Sequence, residues 1–222
     1  MRFRCIATDY DGTLAENGRV AEATRAALVR LVNSGRQAVL VSGRLAPDLE
    51  RVFPELDLFA RVVAENGAVL YTPGSRQTRV LAEPPPRALV ALLRQSGVQS
   101  LEIGRVIVAT RDHQERAVRR AVATLGAPLD VIRNKDALMI LPRGVDKATG
   151  LAAALAELKL SPAETVAIGD AENDAVLLAA CGQAVAVANA LPALKASADW
   201  VTRAEAGQGV VELIDRLLAE EA

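Results

Sequence analysis

Aromatic residues are scarce in this chain: three Phe, two Tyr and one Trp make up 3% of 222 residues. So few rings leave no stacking platform for nucleic-acid bases, and the core has to be assembled from Ala, Val and Leu. An excess of one charge is missing too. Lys and Arg number 26 against 27 Asp and Glu, a formal net charge of −1 with the single His113 neutral, which argues against electrostatic capture of nucleic acid. Cysteine is nearly absent, and Cys5 and Cys181 lack any CxxC or metal-type spacing, so they read as two buried free thiols in a reducing compartment. The opening MRFRCIATDYDGT has too short an apolar run for a signal peptide, and a cytoplasmic location is expected. An uncharged stretch over 175–194 is punctuated by Gly182, Gln183, Asn189 and Pro192, so it reads as buried α/β core and no membrane association is expected.

What is present is apolar material, 51% of residues against 24% charged, enough for one large domain or a domain carrying a smaller insert. Strand-length apolar runs alternate with segments of helical period, the pattern of βαβ units on a parallel sheet. The first half reads as strand 3–9, helix 21–34, strand 37–42, helix 46–53 and a strand or hairpin through 60–71 around Glu65-Asn66-Gly67. Glu83-Pro84-Pro85-Pro86 then forbids a helix interior or central strand and makes a stiff connector. Beyond it the pattern is αββαββ: helix 87–96, strands 98–103 and 106–110 meeting at Gly104, helix 112–125, and strands 129–133 and 137–141 meeting at Asn134-Lys135-Asp136. After Pro142-Arg143-Gly144 the alternation resumes with helix 145–158, strand 165–169, helix 171–180, strand 184–188, helix 191–197, strand 199–202 and helix 209–220. The expected fold is α/β, a Rossmann-like doubly wound parallel-sheet core (1–82 and 143–222) interrupted by an α+β cap (83–142).

Chemistry concentrates in two acidic clusters. The apolar run of FRCIATDYDGTL ends in Asp9 and Asp11, and VAIGDAENDAVLL places Asp170, Asn173 and Asp174 after a second strand. Taken singly, each reads equally as a turn or a helix cap. Together, strands of one parallel sheet deliver all four carboxylates to the same edge, where ligands bind. Two such charges about 4 Å apart repel by roughly 4 kcal/mol at an effective dielectric near 20. A hard divalent cation relieves this, and oxygen ligands with room for water and phosphate suit Mg²⁺. Ser42, followed by Gly43, brings a hydroxyl and backbone N–H groups to that edge. Lys147 sits in a first helical turn, where an ammonium gains nothing from the helix dipole, which invites a functional explanation.

In these motifs the chain resembles the haloacid dehalogenase superfamily of phosphohydrolases. Asp9-Tyr10-Asp11-Gly12-Thr13 is similar to its first motif, Ser42 to its second, Lys147 to its third and Gly169-Asp170-Ala171-Glu172-Asn173-Asp174 to its fourth. The insert resembles the small α/β cap of Cof-like hydrolases, sucrose-phosphate phosphatases and archaeal-type phosphoglycolate phosphatases. Tyr10 and the Ala171-Glu172 pair depart from the commoner pattern without replacing a reacting group. The resemblance implies an Mg²⁺-dependent phosphatase in which Asp9 attacks phosphorus to give an aspartyl phosphate and Asp11 serves as acid and base. It further implies that Asp9, the Asp11 backbone carbonyl, Asp170 and Asp174 hold the metal, while Ser42, Gly43, Lys147 and Asn173 receive the phosphoryl oxygens.

A small phosphorylated metabolite is the implied partner, phosphoglycolate first on cap size and sugar phosphates next, with the protein a monomer or homodimer. Rival readings are a phosphotransferase or phosphomutase acting on sugar phosphates, a non-catalytic phospho-acceptor module, and a silent binding protein. Arg105, Arg111, Arg133 and Lys135 are the cap cations available to an anionic substrate, although hairpin charges are usually just solvated. His113 and the Glu115, Arg116, Arg119 and Arg120 cluster read as surface features.

Overall fold

The computed structural model of the chain describes residues 2–219. Met1 and 220–222, which belong to the expected core and include the end of the expected last helix, lie outside the described residues. The four side chains of β1 (Cys5–Thr8) are all buried, as a strand with neighbours on both edges and helices on both faces requires. The chain continues through α1 (Glu22–Asn33), β2 (Gln37–Val41), α2 (Ala46–Val52), β3 (Arg61–Ala64), β4 (Val69–Thr72) and β5 (Gln77–Val80). Next come α3 (Ala88–Gln95), β6 (Glu102–Ile103), β7 (Val108–Arg111), α4 (Glu115–Leu125), β8 (Leu129–Asn134) and β9 (Ala137–Pro142). It ends with α5 (Lys147–Leu158), β10 (Thr165–Gly169), α6 (Ala175–Ala179), β11 (Gln183–Ala186), α7 (Pro192–Ser197), β12 (Trp200–Val201) and α8 (Ala206–Ala219).

The large sheet runs β12-β11-β10-β1-β2-β3-β4-β5. Every pairing from β12 to β3 is parallel, while β3–β4 and β4–β5 are antiparallel. The chain leaves β1 toward β2 and leaves β10 toward β11, in opposite directions from the centre of the sheet. Right-handed crossovers going opposite ways put their helices on opposite faces and open a crevice at the strand ends between β1 and β10. Accordingly, α1 packs with α8 in one helix layer and α5 with α6 in the other. Between them lie fully buried aliphatics such as Ile6, Leu28, Leu40 and Ile168, each stabilising the fold by about 1.5–3 kcal/mol. Among the described residues no helix is long and apolar enough to cross a membrane.

The second sheet, β6-β7-β9-β8, is antiparallel throughout. Its strands alternate. Val108, Leu138 and Ile140 face α3 and α4, packing with Leu89, Leu93 and Val118. Met139 and Leu141, with Val106 and Ile107 of the β6–β7 turn, join the apolar cluster of the large sheet instead.

Three local departures have physical causes. β5 was not expected, because its sequence QTRV has no buried face, and it survives as an exposed edge strand paired to β4. The strand expected over 98–103 shrinks to Glu102–Ile103. Side chains satisfy the Gln99 backbone instead: its N–H donates to Gln114 Oε1 at 2.6 Å, and its carbonyl accepts from Thr110 and Gln114. The helix expected over 171–180 begins as a 3₁₀ turn, Glu172–Asp174, since the Asp174 carboxylate turns back onto the N–H groups of Asp170 and Ala171.

Candidate active site

Asp9 follows β1 and Asp170 follows β10, so both lie at the crevice where the crossovers diverge, and the Asp9 N–H donates to Ile168 O at 3.0 Å. Asp174 comes from the turn after β10. Ligand oxygens of Asp9, Asp170 and Asp174 all lie within 4.8 Å of one another, and all three residues are buried. Gly12 stands close beside them at φ 86°. A side chain there would overlap the Asp170 carboxylate, so both the backbone angle and the space require glycine.

Lys147 reaches this cluster from the first turn of α5. Asp146 caps that helix, accepting from Thr149 N at 2.8 Å while its own N–H donates to Thr149 Oγ1 at 3.0 Å. The capped turn aims Lys147 inward, with Nζ 2.5 Å from Asp9 Oδ1 and 2.6 Å from Asp174 Oδ1. Burial works against the charge on this ammonium. The Asp174 and Asp9 carboxylates outweigh it and hold the lysine above its ordinary range. Asp174 Oδ2 accepts from the N–H groups of Asp170 and Ala171 at 2.9 and 3.0 Å, so Asp174 fastens Lys147 to the β10 loop.

Burial pushes the Asp9 carboxyl up to about 7 against the pull of Lys147, and Asp174 and Asp170 add to the rise. Burial also raises Asp170, opposed by Lys135. Crowded carboxylates whose charged forms are disfavoured are what an added cation relieves. The donor set is all oxygen, and the buried Asn173 Oδ1 has no partner among the described residues. These residues therefore fit a divalent ion such as Mg²⁺.

Around this floor stand the remaining residues singled out in the sequence. Ser42 is buried after β2, its N–H donating to Val63 O at 2.8 Å and its Oγ accepting from Arg44 N at 3.1 Å. Asn173 donates to Asn66 Oδ1 at 2.9 Å. Asp11 is turned to Arg44, which donates to it from Nε at 2.5 Å and Nη2 at 2.7 Å. Asp9, Asp11, Ser42 and Gly43 line one wall of a cleft of about 560 Å³, and Glu102, Arg111, Lys135 and Met139 line the cap side.

The four cap cations separate. Arg133 is tied to Asp112 and Glu115 beside α4, and Arg105 contributes its backbone N–H, which donates to Glu65. Lys135 reaches Asp170 Oδ2 at 2.5 Å. Arg111 lines the cleft and makes no ion pair among the described residues. His113 is exposed on the turn before α4, and Arg119 pairs with Glu115 on the surface. Sequence reasoning assigned no role to Arg44, Glu65 or Thr13, whose hydroxyl donates to Asp170 Oδ1 at 3.3 Å. Thr13 closes the first motif and Arg44 follows Ser42-Gly43, and only that placement could have signalled them.

The family model for haloacid dehalogenase-like hydrolases matches residues 6–99 and 98–214. The chain is 31% identical over 218 residues to a phosphoglycolate phosphatase of Haloarcula marismortui, covering 94% of this chain and 95% of that protein. It is 32% identical over 225 residues to a phosphoglycolate phosphatase of Natronomonas pharaonis, with 95% and 96% covered. In fold it matches the crystal structure of a haloacid dehalogenase-like hydrolase from Bacteroides thetaiotaomicron with a TM-score of 0.81 at 21% identity, over 97% of this chain and 99% of that one. A crevice of carboxylates at the meeting of β1 and β10, roofed by an inserted sheet, thus stands in a chain that belongs to the haloacid dehalogenase-like hydrolase family.

Proposed function

We propose that this protein hydrolyses small phosphomonoesters through an aspartyl phosphate on Asp9, with phosphoglycolate the favoured substrate. As a member of its family with phosphoglycolate phosphatases among its relatives, it is a phosphoric monoester hydrolase. One observation carries the mechanism: Asp9 lies on the floor of a cap-covered cleft, paired with Lys147 and crowded by Asp170 and Asp174.

Attack of an Asp9 carboxylate oxygen on phosphorus forms an acyl phosphate and breaks the bond to the ester oxygen. Asp11 gives that leaving oxygen its proton, then takes one from the water that attacks the acyl phosphate, which restores Asp9 and releases phosphate. To do so Asp11 detaches from Arg44 and takes a proton from solvent, which the water-attack step then restores at each turnover. Lys147, Ser42 with the Gly43 backbone, and Asn173 are the donors for the non-bridging oxygens. Asp9, Asp170, Asp174 and the Asp11 backbone carbonyl would hold Mg²⁺, which when bound neutralises charge on the phosphoryl oxygens.

For the leaving group, Arg111 lines the cleft without an ion-pair partner among the described residues, and a guanidinium suits a carboxylate such as that of phosphoglycolate. A second reading, sugar phosphates, is favoured by Asp48, Glu102 and Asp136 in the same cleft, which can accept from hydroxyls.

The test is phosphate release from phosphoglycolate, sugar phosphates, nucleotides and p-nitrophenyl phosphate, with and without Mg²⁺, for the wild type and Asp9→Asn. Mg²⁺-dependent release that Asp9→Asn abolishes, with phosphoglycolate turned over fastest, is expected. Phosphate appearing on an acceptor sugar instead of free in solution would move the assignment to a phosphotransferase.

A further inference from the structure

We propose that Glu65 is a positioning residue that docks the cap onto the core and couples this docking to the phosphate donors Ser42 and Asn173. Glu65 follows β3 and is 3% exposed. Its Oε1 accepts from Arg105 N at 2.9 Å, and its Oε2 accepts from Val106 N at 2.8 Å and Ile107 N at 2.9 Å. One buried core carboxylate thus takes three successive N–H groups of the β6–β7 turn. Such an array suits an anion and excludes a neutral amide, whose own N–H would face the donors.

The surrounding packing is shaped to this contact. Glu65 and Asn66 both adopt left-handed backbone, φ 52° and 54°; Asn enters this region readily, whereas a glutamate there is uncommon and needs the support of its surroundings. A side chain at Gly104 would come within 2.6 Å of the Glu65 carboxylate carbon and 2.7 Å of Leu45 Cδ2, so the cap turn approaches as closely as a bare backbone allows. Val106 and Ile107, 1% and 2% exposed, are buried in the apolar cluster of the large sheet, not in that of the cap helices.

The turn Glu65–Gly67, which carries this carboxylate, also reaches the phosphate pocket. Glu65 N donates to Arg44 O and Asn66 N to Ser42 O, both at 2.9 Å, and Asn66 Oδ1 accepts from Asn173. Loosening the cap turn therefore loosens the Ser42 loop and the Asn173 amide together.

The kinetic arm of the test rests on the phosphatase reading, and the exchange arm does not. Amide hydrogen exchange at 105–107 is compared in the wild type and Glu65→Gln, together with kcat and KM for phosphoglycolate well below the unfolding temperature. Loss of charge-assisted bonds is expected to speed exchange at these amides by about tenfold or more, with protection in β1 and β10 unchanged, and to lower kcat by about tenfold. Glu65→Asp, which keeps the charge, is expected to recover part of both. Unchanged exchange at 105–107 would overturn the docking. Faster exchange with wild-type kcat and KM would overturn the coupling. Should Glu65→Gln fail to fold, Gly104→Ala, which intrudes on Glu65 from the cap side, carries the same expectations. A wild-type protein that releases no phosphate would sink the phosphatase reading while exchange at 105–107 still decides the docking.

Discussion

Arg44 holds both oxygens of the Asp11 carboxylate, Nε at 2.5 Å from Oδ2 and Nη2 at 2.7 Å from Oδ1, while its guanidinium lies 5.4 Å from the centre of the Tyr10 ring. A two-point pair fixes the plane of the carboxylate as well as its position. Asp11 therefore has one well-defined resting place, and the acid and base role proposed for it begins by leaving that place. If Asp11 is the proposed acid and base, replacing it with Asn removes general acid–base catalysis, worth about 10²–10⁴ in rate. The loss should be large for phosphoglycolate and small for p-nitrophenyl phosphate, whose leaving group needs no proton. Arg44→Ala should show the same leaving-group dependence, about tenfold in kcat, if Arg44 acts through Asp11. An equal rise in KM for both esters would instead make Arg44 a substrate ligand.

Lys147 is the buried counter-charge of the site, 1% exposed between Asp9 and Asp174, which are 8% and 0% exposed. Lys147→Met keeps the length and removes the charge, leaving two buried carboxylates without compensation. Breaking a buried pair from one side costs about 3–5 kcal/mol. For a chain of this size that lowers Tm by roughly 6–20 °C. Added Mg²⁺ should restore part of this loss, because a cation among the same carboxylates binds only the folded state. Thermal unfolding with and without Mg²⁺ measures both. A Tm within 2 °C of wild type without Mg²⁺, on the order of less than 1 kcal/mol, would show that Lys147 is not what balances these charges.

Periodicity carried most of the fold because buried strands such as VAIG and AVLV announce themselves by continuous apolar runs. β5 did not, since an edge strand pairs its backbone without burying its side chains. The candidate site was legible where residue type and strand end coincide: Asp9 and Asp170 follow the strands on either side of the crevice, and Lys147 opens a helix in a place its charge does not favour. Arg44 and Glu65 escaped because their partners, Asp11 and the backbone of 105–107, lie 33 and 40–42 residues away. No local pattern encodes such pairings. Among four similar cap cations, only the packed structure separates Arg133, neutralised beside α4, from Arg111, open to the cleft.

Lys135 places an ammonium on Asp170, a carboxylate of the proposed cation site. Its Nζ is 2.5 Å from Asp170 Oδ2, its side chain is 44% exposed against 1% for Asp170, and its backbone N–H donates to Glu172 at 3.1 Å. A half-exposed ammonium is a weak tenant, so its removal should tighten Mg²⁺ binding by about threefold to tenfold, the range of a pair worth up to 1 kcal/mol or a little more. Calorimetric titration of Lys135→Ala with Mg²⁺ in the absence of substrate reads this directly. Weaker binding in the variant would mean that Lys135 supports the cation site instead of competing for it.

Arg111 decides between the two substrate readings. It stands on β7 opposite Ala137, in the wall of the cleft that faces Asp9, with no carboxylate partner among the described residues. If it receives the carboxylate of phosphoglycolate, Arg111→Ala removes a charge-assisted contact worth about 1.5–3 kcal/mol, a loss of roughly 10- to 150-fold in kcat/KM. p-Nitrophenyl phosphate has no carboxylate to lose, so its kcat/KM should change by less than about twofold, under half a kcal/mol. Arg111→Lys keeps the charge and loses the two-point geometry, and should fall between. A matched decline for both esters would place Arg111 on the phosphate itself. A decline confined to sugar phosphates would transfer the substrate assignment to them, with Asp48, Glu102 and Asp136 as the acceptors to be changed next.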